Sequence, residues 1–275
     1  MSEANVEKNK VQPEASDKIV LRPSSLDEFA QCPQKWFRTF INGESSYVNS
    51  RAAIGTAIHA GVENMWNDCI QVKTKIVSKG SMADAAMEAW KEEEQKGMQY
   101  DSGETQGTCA KEIITGMDVY VDDIVPWVDI PTAVETRFTV DIDHKMVEGI
   151  SGLMDYVDEN KGIISDVKTG KRKHNVANSS TQQSIYKYLA EENGMKVNWS
   201  TIQNVVLKAK PEGHVMDCDI NITKAKSLVN SLLDTLDVYL TDKVDPQILF
   251  RGNSKYWLCS PKYCAYYNSC KFVGN

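Results

Sequence analysis

The sequence predicts a mixed α/β domain, a central sheet of parallel and antiparallel strands capped by helices. Three observations point there. Helical spacing of apolar residues dominates as far as residue 125, alternation takes over from 132 to 168, and helix, strand, strand and helix complete the chain. The 275 residues are 41% hydrophobic and 25% charged, enough for a full core and unlike a disordered, collagen-like or disulfide-stapled chain. No apolar run approaches the roughly 18–20 residues that span a bilayer. The polar opening MSEANVEKNKVQPEASDK also lacks the apolar core of a signal peptide, so a cytoplasmic protein is expected.

Residues 1–22 read as a flexible tail, and 23–275 as one domain with a helical insertion over about 68–127. The first helix is expected to start at Ser25 as N-cap, with Glu28 completing a capping box and Pro33 dividing the segment. Leu26, Phe29, Trp36, Phe37 and Phe40 recur at helical spacing. Ile58, Val62 and Met65 mark a second helix over 55–67, and two more are expected over 81–97 and 108–125. Residues 132–142, 147–158 and 162–168 read as three strands, the last two joined by the turn-forming run from Asp158 to Gly162. A helix over 178–193 stops near Gly194. Strands at 202–207 and 213–220 and a helix over 223–241 complete the order.

The formal charge of −7 disfavours a globally basic nucleic-acid binder but leaves room for a local basic groove. The seven cysteines are odd in number, so a disulfide framework is not expected. Cys259, Cys264 and Cys270 cluster near the end of the chain, a pattern that suits metal ligands. Thiolates suit an iron–sulfur cluster and zinc alike, and free thiols are the third reading. Cys69, Cys109 and Cys218 read as small core or surface residues.

The most informative segments are Gly152-x-x-Asp155 and Asp166-x-Lys168-Thr169-Gly170. A hairpin between them brings Asp155 and Asp166 toward one ion, and two-residue spacing puts Asp166 and Lys168 on one strand face. Two carboxylates and a lysine suit metal-assisted hydrolysis of a phosphodiester, with hard oxygens for Mg²⁺ or Mn²⁺. A D-x-K triplet alone is common on exposed strands. Its place after an apolar strand, with G-x-x-D before it, raises its weight. His59 in the helical Gly55–His59 segment can add an imidazole ligand, with Glu63 one turn on, though a half-buried helix histidine is the plainer reading. Gln182 and Tyr186 share a helix face and can orient the lysine, a water or a phosphate backbone.

Taken together, Ser25-Leu26-x-x-Phe29-x-x-Cys32-Pro33, Gly55-x3-His59, Glu135, Gly152-x-x-Asp155, Asp166-x-Lys168-Thr169-Gly170, Gln182-x3-Tyr186 and the terminal cysteines resemble the PD-(D/E)XK nuclease superfamily. The resemblance is nearest to its RecB-like exonuclease branch, which includes the CRISPR-associated adaptation nuclease, the AddB nuclease domain and phage exonucleases. It covers roughly residues 24–270. It implies a restriction-endonuclease-like αβββαβ core. His59, Asp155, Asp166 and the Val167 carbonyl would be metal ligands, Lys168 the catalytic lysine, and Gln182 and Tyr186 its support. Glu135 matches an acidic position whose role is left open. The resemblance also implies a [4Fe–4S] cluster held by Cys32, Cys259, Cys264 and Cys270 in a clasp over 256–272. The C-x4-C spacing at Cys259–Cys264 departs from the C-x2-C of many members.

The expected function is therefore a Mg²⁺- or Mn²⁺-dependent DNA nuclease, an exonuclease at DNA ends in recombination, repair or replication. The rivals are a non-cleaving Fe–S DNA-binding subunit and a structure-specific endonuclease. No GxxxxGK[ST] loop is present, so strand separation is expected from a helicase or recombination partner or from a preformed end. Two surface readings stay open. Lys171, Arg172, Lys173 and His174 form either a phosphate-contacting patch or a solvated loop. Tyr256, Trp257, Tyr263, Tyr266 and Tyr267 either stack on unpaired bases or, the favoured reading, pack around the cysteines.

Overall fold

The computed structural model describes residues 18–44 and 49–273. The expected tail lies outside them up to residue 17. Ile19–Leu21, placed in the same tail, instead forms a short strand, β1. The first helix, α1 (Pro23–Gln31), starts earlier than the capping pattern predicts. Pro23 takes the first helical position, where a missing N–H costs nothing. Arg22 is the N-cap and Ser25 the third helical residue, its Oγ accepting the Arg22 N–H at 2.9 Å. Glu28 pairs with Lys35 at 2.6 Å. Cys32, ahead of Pro33, leaves the helical region with φ −152° and ψ 90°, and this breaks α1 from α2 (Pro33–Trp36), which runs on as a π turn over Phe37–Ile41.

Three long helices follow: α3 (Ser50–Val72), α4 (Lys79–Gln95) and α5 (Gln106–Val119). Asn49 caps α3 by accepting the Ala52 N–H, and Lys73 ends it in the left-handed region. The helix is longer at both ends than the 55–67 expected. The stretch expected to extend α5 to 125 winds instead as a π turn (Tyr120–Ile124) and a 3-10 turn (Val125–Trp127).

The remaining order matches the expectation closely. It comprises β2 (Ala133–Asp141), β3 (Val147–Asp158), β4 (Ile163–Gly170), α6 (Ser180–Glu192), β5 (Trp199–Val206), β6 (Glu212–Asp217), α7 (Ile222–Leu240) and α8 (Pro246–Leu249). The six strands form one open, mixed sheet. β2 pairs antiparallel along most of one edge of β3. The other edge of β3 is shared, with β1 parallel at Val147–Ile150 and β4 antiparallel at Tyr156–Asp158. β4 then pairs parallel with β5 over its whole length, and β6 is the antiparallel outer strand.

Each sheet face carries its own apolar core. One joins α1, α6 and α7 to Ile150, Met154, Val157 and Ile164, with Trp36 and Phe250 fully buried at its end. The other joins α3, α4 and α5 to Tyr156, Val167 and Val205 around Trp66 and Trp90. Truncating any of these tryptophans to alanine removes a side chain whose burial stabilises the fold by about 3–5 kcal/mol. Among the described residues no helix is long and apolar enough to cross a membrane.

The β3–β4 turn depends on Gly162, which sits at φ +66° with a Cβ position 2.6 Å from the Lys196 carbonyl oxygen. Gly162→Ala is expected to destabilise the protein by about 2 kcal/mol. The check is a urea midpoint that falls with unchanged slope; an unchanged midpoint would contradict this role.

Candidate metal centre and catalytic lysine

The site lies where β3 and β4 part. Their ladder has only three pairs, from Asp158↔Ile163 to Tyr156↔Ser165. Beyond Ser165, β4 follows β5, and β3 runs on toward β1. Asp155 fills the fork: its Oδ2 accepts the Val167 N–H at 2.7 Å, the bond a strand neighbour would otherwise take. At this point the alternation of β3 slips. Gly152 and Met154 face α6, but Tyr156 packs edge-on against Trp66 of α3. Gly152 lies so close to α6 that a Cβ there would stand 2.7 Å from Leu189 Cδ1 and 2.9 Å from Tyr186 Cε1.

Glu135 lies opposite Asp155 on β2, between the pairs Val134↔Tyr156 and Thr136↔Met154. Its φ is +44°, a conformation costly for a non-glycine residue and often stored at functional sites. His59 reaches the same point from α3, with Nδ1 3.5 Å from Asp155 Oδ2 and Nε2 2.8 Å from the Val167 carbonyl oxygen. Among the described residues, His59, Glu135 and Asp155 are the one group of three whose donor atoms lie within 4.8 Å of one another. Two carboxylates and an imidazole form a hard, mixed O/N donor set, which fits Mg²⁺ or Mn²⁺.

The charges are interdependent. Burial alone would lower the His59 pKa, but the Asp155 carboxylate beside it lifts the imidazole to about 9. Burial works to raise Asp155; His59 and the Val167 N–H outweigh it and hold its carboxyl below the usual range. Among the described residues nothing outweighs burial at Glu135. Burial, then repulsion from Asp155 that His59 only partly offsets, pushes it up to about 7.

Asp166 and Lys168 do project together from β4, as their spacing predicts, but toward α6. Lys168 Nζ lies 2.7 Å from Asp166 Oδ2 and donates to Gln182 Oε1 at 3.1 Å. The Gln182 amide in turn donates to Asp166 Oδ1 and to the Tyr186 hydroxyl, both at 3.3 Å. Burial would lower the lysine's pKa, and Asp166 more than reverses that, so Lys168 stays charged. Burial raises the Asp166 carboxyl against the pull of Lys168. The structure thus brings Asp155 together with His59 and Glu135, and Asp166 together with Lys168, Gln182 and Tyr186. The Val167 carbonyl, expected to face an ion, is engaged by the His59 ring. The resemblance marks Glu135 as an acidic position without a role; the structure sets it across from Asp155.

The neighbouring loop is less basic than its sequence. Lys171 is drawn to Glu112 at 3.5 Å and Glu104 at 4.0 Å, and Arg51 pairs with both acids. His174 Nε2 lies 2.8 Å from Ser179 Oγ, and its backbone N–H donates to Asn204 Oδ1.

All seven cysteines are free, and Cys69, Cys109 and Cys218 are buried, as a core role requires. Cys32, Cys259, Cys264 and Cys270 line one small cavity between α1–α2 and the chain's end. No three of their sulfurs lie within 4.8 Å of one another, so they do not form a closed ligand group. A single zinc ion, with Zn–S bonds of about 2.3 Å, needs its sulfurs nearer than that. The clasp also stands on other contacts. Phe37 stacks on Phe250 at 4.4 Å, Arg38 lies 4.4 Å over the Tyr266 ring, and Asn253 donates to the Gln31 carbonyl.

The chain belongs to the PD-(D/E)XK nuclease superfamily, whose family model matches residues 21–271. Its fold is similar to that of a "putative exonuclease" from Eubacterium rectale, with a TM-score of 0.54 and 9% identity over 86% of this chain and 89% of the other. A solved protein called SSO0001 aligns over 96% of this chain and 89% of its own, at 11% identity and a TM-score of 0.40. No curated protein matches the sequence.

Occupying the His59–Glu135–Asp155 group requires the protons on His59 and Glu135 to leave. Mn²⁺ affinity is therefore expected to rise from about pH 6 to about pH 9, with protons released on binding near pH 7. Calorimetry in two buffers of different ionisation heat measures the release. Affinity that falls with pH, or binding with no proton release, would contradict this ligand set.

Proposed function

We propose that this protein is a divalent-metal-dependent deoxyribonuclease of the RecB-like branch that acts as an exonuclease at DNA ends. One observation carries the reading: a His–Glu–Asp ligand group and a lysine–carboxylate pair flank a single fork in the sheet. His59, Glu135 and Asp155 would hold Mg²⁺ or Mn²⁺, with Asp166 near enough to share the charge. A bound ion there supplies polarisation of the phosphoryl oxygen and a lower pKa for water. The chain's own groups do the rest. Lys168, kept charged by Asp166, donates a hydrogen bond to the attacking water or to a phosphate oxygen and offsets the charge that develops there. Gln182 holds the Lys168 ammonium from α6, and Tyr186 steadies that amide. The coexistence of ligand group and lysine favours a cleaving enzyme over a DNA-binding subunit, whose constellation would be broken.

The same proposal gives Cys32, Cys259, Cys264 and Cys270 to an iron–sulfur cluster. Its support is the shared cavity and the thiolate chemistry. Such a cluster is wider than one metal ion and needs no close approach of its sulfurs.

Digestion of end-labelled linear DNA with Mn²⁺, Mg²⁺ or EDTA tests the activity. Cleavage is expected only with the ions. Asp155→Asn and Lys168→Ala are expected to fold and to lose activity by about a hundredfold or more. A Lys168→Ala variant with wild-type activity would remove the lysine from the mechanism, and equal attack on circular DNA would overturn the exonuclease reading. Cys264→Ala, purified anaerobically, is expected to lose brown colour and thermal stability together. Unchanged absorbance and melting would sink the cluster.

A further inference from the structure

The helical layer on the His59 side of the sheet ends at the ligand group. The apolar core under α3, α4 and α5 takes Val134 from β2 and Tyr156 from β3. Among the described residues it takes nothing from either strand beyond Glu135 and Asp155. There Phe138, Ile150 and Met154 face the opposite core, under α6 and α7. Their neighbours Arg137, Thr139, Ser151 and Leu153 therefore point to the side that the helices leave bare. Arg137 and Thr139 are exposed, and Leu153 is 36% exposed.

Arg137 is the cation of this bare face. It stands opposite Leu153 and two residues from Glu135, so its row lies about 7 Å along the strands from the ligand row. Its guanidinium donates to the Ser151 hydroxyl at 2.9 Å, which lays the side chain along the sheet. One of its five N–H donors is used there. Arg38 and Arg51 are neutralised by glutamates, but among the described residues no carboxylate lies within ion-pair distance of Arg137. The next charge along β2 is Asp141, four residues further from the ligand group.

An exposed arginine on a strand is commonplace; its place in the sheet is not. β3 lies between β2 and β4, so Arg137 and Lys168 flank the ligand group from opposite sides. An anchored guanidinium with donors to spare matches the oxygens of a phosphate. Successive phosphates of a DNA strand advance about 3.4 Å along the helix axis, close to the rise of a β-strand residue. A backbone running along β2 from the ligand group thus brings its second phosphate to the Arg137 row.

We propose that Arg137 binds a DNA phosphate about two nucleotides from the scissile bond, and that the bare face of β2 and β3 seats the backbone on the side of the ligand group away from Lys168. This role rests on the nuclease reading, which supplies the DNA. A contact so far from the reacting bond is made equally before and during hydrolysis, so it lowers KM and leaves kcat alone.

The test compares wild type with Arg137→Ala, Arg137→Gln, Arg137→Lys and a charge control, Lys196→Ala, which removes an exposed lysine beside the β3–β4 turn. Binding of labelled linear DNA is measured in EDTA between about 50 and 200 mM salt, and KM and kcat in Mn²⁺. Arg137→Ala is expected to bind about tenfold more weakly, with a salt slope shallower by about one. Its KM is expected to rise about tenfold with kcat unchanged. Arg137→Gln, which can keep the Ser151 bond, is expected to match it and stands in for it should the shorter side chain unfold the protein. Arg137→Lys is expected to recover the salt slope and part of the affinity, since it keeps the charge and loses the fork. Lys196→Ala is expected to behave as wild type. Unchanged affinity and KM in both Arg137→Ala and Arg137→Gln, or a loss in kcat with KM unmoved, would overturn the proposal. An equal loss in Lys196→Ala would do the same. Cleavage that persists with an unchanged KM sinks the Arg137 contact alone, and Arg137-dependent binding without cleavage under either ion sinks the nuclease reading alone.

Discussion

The hydrogen bond from the Val167 N–H to Asp155 Oδ2 is the contact on which the site depends. Where β4 leaves β3, a buried donor loses its strand partner, and leaving it unpaired would cost about 1–3 kcal/mol. Asp155 has the converse need: a buried carboxylate must be hydrogen-bonded or paired. Each satisfies the other, and their union fixes Asp155 at the mouth of the fork. Its remaining valence then faces His59 and Glu135. The positive φ of Glu135 directly across the ladder belongs to the same arrangement. The parting of two strands and the assembly of a ligand group are one structural event.

The two cores serve this fork from opposite faces. The helices α3 to α5 press His59 onto the Val167 carbonyl, and α6 presses Gln182 onto Lys168 and Asp166. Lys168 and His59, both held charged by the neighbouring carboxylates, thus approach β4 from different sides. This separation keeps the lysine off the ligand group while leaving it within one strand of it. It also leaves the space beyond Lys168 open toward α1.

Much of this is legible in the sequence. The switch from helical spacing to alternation at residue 132 marks the sheet, and Asp158–Gly162 marks the hairpin, because both signals are local. The pairing of Asp166 with Lys168 follows from period two alone. The features that stay hidden are non-local. Nothing near Ile19–Leu21 announces a partner at Val147–Ile150, so a short strand passes for tail. Ser25 and Glu28 form a plausible capping box that Pro23 pre-empts by starting the helix earlier. Simple alternation puts the two carboxylates of Asp155 and Asp166 on one ion. Asp155 also stands opposite Glu135 in the unbroken β2–β3 register, and that neighbour is set by strand pairing, which has no local sequence signature.

The most direct test of the account is the position of Mn²⁺ in crystals of the wild-type protein, read from anomalous scattering at the manganese edge. The account predicts a single strong peak bounded by His59, Glu135 and Asp155, with Lys168 outside its coordination sphere. A peak seated instead between Asp166 and Gln182, with Glu135 turned away, would contradict it.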